Sequence, residues 1–227
     1  MNPSINRYLD HAVLKPELSR SEARDAIRIG IDYEVKTVCV RPCDIALAAE
    51  LCAGTVTGVS CVVAFPHGCT TRGAKAAEAS ACIAAGTSEI DMVANYGFIR
   101  SGMWEEVTAD ISAVTDVARP EGVLVKVIME TAFLTLEEIR QATECAIAAK
   151  ADFVKTSTGF NGDGATEEAV RAMVRAAGGR IQVKASGGIR DRTRAELFIS
   201  LGATRIGNGY TSTQAICEGA GSGQGAY

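Results

Sequence analysis

Short apolar runs that alternate with longer amphipathic segments, with no break in composition, predict an α/β chain folded as a single (β/α)8 barrel. Seven runs are four to seven residues long and nearly continuous in hydrophobicity, as parallel strands covered on both faces must be. They are Thr37–Val40, Val59–Phe65, Glu89–Ala94, Val123–Met129, Asp152–Thr156, Ile181–Ala185 and Ala203–Gly207. An eighth is available at Arg7–Ala12. The helices between them carry start and stop signals. Ser19-Arg-Ser-Glu22 and Thr135-Leu-Glu-Glu138 have the spacing of capping boxes, and Gly54, Gly86 and Gly202 sit where helices should end. Further helices are expected over 71–85, 104–118, 166–177 and 190–201. The barrel is expected to fill residues 1–217, and the segment 218–227, Glu-Gly-Ala-Gly-Ser-Gly-Gln-Gly-Ala-Tyr, is too rich in glycine to hold one conformation and is expected to be a flexible tail. An open doubly wound sheet is the alternative; a missing GxGxxG after the first strand and the lack of a second domain weigh against it.

The 227 residues are 47 % apolar and 22 % charged, the balance of an ordinary globular protein with enough chain for a substantial core. A net charge of −4 argues against a nucleic-acid partner. No apolar run approaches the roughly 20 residues of a membrane helix, and the start of the chain has no signal-peptide pattern, so a cytoplasmic location away from membranes is expected. Eight cysteines without CxxC spacing, most inside apolar runs, read as reduced thiols packed as small hydrophobes. With only His11 and His67 as histidines, no metal site is expected.

Four ionisable residues interrupt the apolar strands: Asp91, Lys126, Lys155 and Lys184. An unpaired charge facing the helices would cost several kcal/mol, so these side chains should point into the barrel. Each lysine precedes the C-terminal end of its strand, the face where barrel enzymes build their sites. Taken alone, Lys126 reads equally well as a structural ion pair. Taken together, three clustered lysines imply repulsion with a use. Like charge and desolvation favour a neutral amine, and a neutral lysine attacks carbonyls to form a Schiff base. Such chemistry needs no cofactor, because the iminium is itself the electron sink.

Three Gly-rich strand ends form a second signal. Thr156-Ser-Thr-Gly159, Ser186-Gly-Gly-Ile-Arg190 and Gly207-Asn-Gly209 place Thr158, Gly159, Gly187, Gly188, Arg190, Gly207, Asn208 and Gly209 where backbone N–H groups could converge on an anion, with Lys126 as a further cation for the substrate. Each cluster could equally serve a tight turn. Beside the lysines they favour a phosphorylated substrate.

At these residues the chain resembles the deoxyribose-phosphate aldolase family. The resemblance runs from Tyr8-Leu-Asp-His-Ala12 to Tyr227; the blocks that carry it are Ala151-Asp-Phe-Val-Lys-Thr-Ser-Thr-Gly-Phe160, Val183-Lys-Ala-Ser-Gly-Gly-Ile-Arg190 and Glu89-Ile-Asp-Met-Val93, with weaker echoes in Val38-Cys-Val-Arg-Pro42, Ala64-Phe-Pro-His-Gly68 and Val125-Lys-Val-Ile-Met-Glu-Thr131. The resemblance implies a (β/α)8 class I aldolase that reversibly cleaves 2-deoxy-D-ribose 5-phosphate to D-glyceraldehyde 3-phosphate and acetaldehyde. It implies that Lys155 forms the Schiff base, that Lys184 sits close by and eases loss of its proton, and that Asp91 shuttles protons through a water. Asp10 would hold the polar network, Cys39 would line the pocket, and Tyr227 would assist proton transfer at the acetaldehyde carbon. For Cys39 a plain core thiol, and for Tyr227 an inert chain end, are the competing readings. Family barrels often form homodimers, which the resemblance extends to this chain.

Three positions depart from the family pattern. Ala12 stands where the family usually has Thr, Arg41-Pro42 where Asn-Pro is usual, and Gly207-Asn-Gly-Tyr210 where a glycine is followed by phosphate-binding serines. An aldolase acting on a different or unphosphorylated aldehyde is therefore the runner-up. A barrel that binds sugar phosphates without catalysis, and a metal-dependent aldolase, are further alternatives.

Overall fold

The computed structural model describes residues 4–219. Its strands fall on the eight runs: β1 Leu9–Val13, β2 Thr37–Val40, β3 Gly58–Val63, β4 Glu89–Val93, β5 Leu124–Ile128, β6 Phe153–Lys155, β7 Gln182–Ser186 and β8 Arg205–Gly209. All pair in parallel in chain order, and β1 closes on β8 with Asp10 opposite Gly207. The open-sheet alternative is thereby excluded. The helices are α1 Arg20–Asp32, α2 Ile45–Cys52, α3 Arg72–Ala84, α4 Tyr96–Arg100, α5 Trp104–Ala118, α6 Leu136–Ala148, α7 Glu167–Ala177, α8 Arg192–Ser200 and α9 Thr213–Glu218.

The helix starts follow from their caps. Ser19 accepts from the Glu22 N–H while the Glu22 carboxylate accepts from the Ser19 N–H, and Thr135 and Glu138 repeat the arrangement. Thr71, Thr166 and Asp191 cap α3, α7 and α8. These caps lie on the connections that leave the C-terminal ends of strands, so they fix the loops that frame the barrel mouth.

Alternation along each strand sorts the barrel into two environments. Val38, Val40, Cys61, Val63, Ile90, Met92, Val127, Val154, Val183 and Ile206 belong to the main core with the helices. Ala12, Leu14, Cys39 and Val62 form a separate small apolar cluster with Phe65. Apart from the Phe153 ring, the rest of the interior is polar.

Most strand ends move by one or two residues from expectation, and three boundaries have a clear physical cause. The first strand starts at Leu9 because Ile5–Tyr8 form a 3-10 turn, tied down by Asn6 and Arg7 side chains that donate to the carbonyls of Tyr33, Glu34 and Val35. The last strand runs to Gly209 because Asn208 and Gly209 pair with His11 and Ala12. α9 continues through Glu218, whose carboxylate accepts from the Tyr33 hydroxyl. The tail beyond Gly219, with Tyr227, lies outside the described residues. All eight cysteines are free thiols. Among the described residues no helix is long and apolar enough to cross a membrane.

Candidate active site

The polar interior is a continuous charge network that starts where strands begin and ends where β6 stops. At the strand starts the Arg205 guanidinium lies over the Phe153 ring at 5.1 Å and donates to Asp10 Oδ1 at 2.7 Å and to both Glu89 oxygens at 2.7 and 3.2 Å. Lys126 Nζ is shared by Glu89 at 2.5 Å, Asp91 Oδ1 at 2.8 Å and Asp10 at 3.5 Å. Lys184 Nζ bridges Asp10 Oδ2 at 2.5 Å and Asp91 Oδ2 at 2.7 Å. Lys155, the last residue of β6, donates to the same Asp91 oxygen at 2.7 Å. Lys155 and Lys184 are direct register partners on adjacent strands.

Lys155, Lys184, Asp91 and Asp10 thus meet as expected, with one correction. The three lysines are not a repelling cluster, because Asp10, Glu89 and Asp91 are interleaved with them. Burial alone would raise the Asp10 carboxyl, but Lys126, Lys184 and Arg205 more than offset it and hold it well below the usual carboxylate range. Burial likewise opposes ionisation of Asp91, and Lys126, Lys155 and Lys184 overcome it. Lys126 shows the mirror image. Burial favours its neutral form, but Asp10, Asp91 and Glu89 hold it protonated. The network therefore contains four cationic side chains against three carboxylates. Lys155 is the cation held by a single carboxylate, whereas Lys126, Lys184 and Arg205 each have at least two.

Above the strand ends lies a cavity of about 280 Å³ lined by Gly159, Gly162, Asp163, Gly164, Gly188, Ile189, Arg190, Gly209, Thr211 and Ser212. Of the residues expected to hold an anion, Gly159, Gly188, Arg190 and Gly209 are there. Five are not. Lys126 is fully buried and committed to three carboxylates. The Thr158 hydroxyl donates to Glu130 at 2.5 Å and accepts from the Phe160 N–H. Gly187 packs against Gly164, and its carbonyl accepts from the Ala165 N–H. Gly207 faces the interior, where an added Cβ would lie 3.0 Å from Lys184 Cε. The Asn208 side chain points outward and donates to Thr213 Oγ1.

Cys39 sits in the small interior cluster beside Ala12, and burial, reinforced by Asp91, pushes its thiol up, so it stays protonated. Arg41 binds Asp44 and the carbonyls of Lys15, Pro16 and Leu18, so this departure from the family pattern serves to shape the loop after β1. Among the described residues no group of three or more His, Cys, Asp or Glu side chains is placed to hold a metal ion.

Sequence reasoning missed Glu89 and Arg205 in the network, and Glu130, Asn161, Asp163, Thr211 and Ser212 around the mouth. Parity could have found two of them. Glu89 shares the inward parity of Asp91, and Arg205 that of Gly207 and Gly209.

The comparisons with known proteins agree in kind. The family model described as DeoC/LacD family aldolase matches residues 7–217. The chain is 44 % identical to a deoxyribose-phosphate aldolase of Natranaerobius thermophilus over 90 % of this chain and 92 % of that protein. It is 43 % identical to one of Clostridium perfringens, covering 95 % of each. Among solved structures, QR15, an aldolase, superposes with a TM-score of 0.88 at 38 % identity over 95 % of each chain. A tetrameric deoxyribose phosphate aldolase of Aeropyrum pernix gives 0.86 at 28 % identity, covering 94 % of this chain and 89 % of that one.

Proposed function

The chain belongs to the DeoC/LacD family of aldolases, and on that premise we propose that it reversibly cleaves 2-deoxy-D-ribose 5-phosphate to D-glyceraldehyde 3-phosphate and acetaldehyde through a Schiff base on Lys155. The observation that carries the reading is the position of Lys155. It ends its strand at the barrel mouth, and it is the cation of the network held by the fewest carboxylates, Asp91 alone. With Lys155 neutral for attack, the remaining charges of the network are three against three.

The neutral Lys155 Nζ adds to C1 of the open-chain aldehyde, and the carbinolamine loses water to give an iminium. The C3 hydroxyl then loses its proton as its oxygen becomes a carbonyl, C2–C3 breaks, and the electron pair of that bond passes into an enamine. Protonation at C2 and addition of water at C1 release acetaldehyde and return the amine. Asp91 Oδ2 orients Lys155 and Lys184 together, each at 2.7 Å. Asp91, kept ionised by the lysines around it, would relay protons at the carbinolamine and enamine steps together with a water. Asp10 and Lys126 fix this pair from below. Tyr227 completes the reading as the group that helps protonate C2. No cofactor enters, since the iminium accepts the electron pair.

The phosphate would sit in the cavity between the 159–164 segment, Gly188 and Arg190, with Thr211 and Ser212 in place of the family's serines. The runner-up, an unphosphorylated substrate, is favoured by one observation. Asp163 puts a carboxylate in the lining of that same cavity. A homodimer and a cytoplasmic location remain part of the proposal; free thiols throughout suit a reducing compartment, and light scattering of the purified protein would establish the assembly.

Acetaldehyde with borohydride should attach an ethyl group to Lys155, and Lys155→Met should abolish both that adduct and cleavage. Undiminished turnover by Lys155→Met would overturn the Schiff-base reading. A wild-type enzyme equally active on 2-deoxyribose and its 5-phosphate would overturn the phosphate assignment and favour the runner-up.

A further inference from the structure

Directly after β5 the backbone of Glu130 takes up a left-handed conformation, φ 56° and ψ 61°, which a residue with a side chain seldom adopts unless its surroundings demand it. Its neighbours explain the demand. The Met129 N–H donates to the Lys155 carbonyl and the Thr131 N–H to the Thr156 carbonyl, both at 3.0 Å. The turn at Glu130 thus lies flush against the end of β6, and its side chain is aimed at the residues that follow.

That side chain is fully buried. Its carboxylate accepts from the Thr158 N–H at 3.0 Å, the Thr158 hydroxyl at 2.5 Å and the Asn161 amide at 3.2 Å. All three donors are neutral, and among the described residues no cation lies within ion-pair distance of it. A buried carboxylate served only by neutral donors is costly, so the arrangement needs a use. The second Asn161 amide hydrogen donates to the Pro66 carbonyl at 2.8 Å, and the Phe160 ring meets Phe65 edge-on. Three loops, those after β3, β5 and β6, are therefore joined through one carboxylate. On the far side the Gly187 carbonyl accepts from the Ala165 N–H and Gly164 packs against Gly187. Between these anchors lie Gly159, Gly162, Asp163 and Gly164, which line the cavity.

We propose that Glu130 is a positioning residue that holds the segment after Lys155 in its anion-binding shape, so that it sets the enzyme's preference for a phosphorylated over an unphosphorylated aldehyde without touching either. The argument rests on the phosphate reading of the cavity given above.

The test compares wild type, Glu130→Gln and Asn161→Ala on 2-deoxyribose 5-phosphate and on 2-deoxyribose, and measures amide hydrogen exchange across residues 158–164. We expect both variants to raise KM for the phosphorylated substrate at least fivefold, with kcat and the borohydride trapping of acetaldehyde at Lys155 changed by less than twofold. Efficiency on 2-deoxyribose should stay within twofold of wild type. Exchange of the 158–164 amides should quicken at least tenfold, while that of 91–93 is unchanged. Equal losses on both substrates, or unchanged KM with unchanged exchange, would overturn the assignment. Should Glu130→Gln not fold, Asn161→Ala decides by the same criteria. Should the wild type show no phosphate preference, the substrate reading fails by itself, and the exchange of 158–164 alone decides the role of Glu130.

Discussion

Gly207 shows how much one hydrogen atom can control at this site. It faces the barrel interior opposite Asp10, and a Cβ there would run into the Ser186 side chain and lie 3.0 Å from Lys184 Cε. Ser186 gives the closest conflict and must shift first, and the Lys184 stem must give by a few tenths of an ångström, and with it the amine shared by Asp10 and Asp91. A displacement of about 1 Å in a catalytic group costs up to about a hundredfold in rate, and a smaller one less. Gly207→Ala is therefore expected to slow borohydride trapping at Lys155 by up to roughly tenfold, while circular dichroism stays that of the wild type. Unaltered trapping would show that Lys184 tolerates the shift. The same residue marks what was legible in the sequence. Lys155, Lys184 and Asp91 could be found because a charge in a run of Val and Ile has few places to go. Gly207, Thr158 and Asn208 have the sequence look of anion ligands because Gly-rich strand ends look alike whether they cradle a ligand or make room for a neighbour. Glu89 and Arg205 begin their strands, where a charge is usually exposed, and only the parity of Asp91 and Gly209 reveals that they point inward.

At the scale of elements, the strands were legible because burial on both faces demands continuous apolar runs, and the helices because Ser19, Thr71, Thr135 and Thr166 announce them. α4 and α9 are not, since five residues, Tyr96–Arg100, and six, Thr213–Glu218, make too few turns to show a period. The end of β8 is hidden because pairing with His11 and Ala12, almost two hundred positions away, sets it, and the start of β1 because the 3-10 turn of Ile5–Tyr8 displaces it. Packing of α1 on these strands gives a prediction. Gly30 lies in the last turn of α1, where alanine would gain at most about 1 kcal/mol of helix propensity. Yet a Cβ at Gly30 would stand 2.7 Å from Val38 Cγ1 and 3.0 Å from the His11 ring. Both are stiff and buried, and overpacking of this kind costs about 1–3 kcal/mol. The clash offsets the propensity gain and leaves a net loss of up to about 2 kcal/mol, so Gly30→Ala should lower the urea midpoint by that equivalent. A higher midpoint would mean that α1 can slide away from the sheet at little cost.

For the whole molecule, closure of the barrel buries His11 between its first and last strands, and this makes stability depend on pH. His11 Nε2 lies 2.8 Å from the Ala26 carbonyl, which can only accept, so that nitrogen carries the proton and Nδ1 accepts from the Thr213 hydroxyl at 2.7 Å. Thr213 in turn accepts from the Asn208 amide. The chain of donors links β1, α1, β8 and α9 around the buried ring. Burial pushes the His11 imidazole from 6.5 down to about 4, against the pull of the Ala26 carbonyl. Between these values the unfolded chain binds a proton at this position and the folded chain does not. Folding stability therefore falls as the pH drops from 6.5 towards 4, by about 3 kcal/mol over the window. Asp10 and Asp91, held far below the carboxylate range, lose their share only at lower pH, as the unfolded carboxyls protonate near 4 and below. The two effects thus separate on the pH axis. Urea unfolding at pH 7.0, 5.5 and 4.5 should show a steady loss for the wild type. For His11→Asn, which keeps an amide to donate and an oxygen to accept but has no proton to gain, the loss over the same interval should be much smaller. Parallel curves for the two proteins would mean that the ring titrates freely in the folded barrel, and that the link between the first and last strands opens before the fold does.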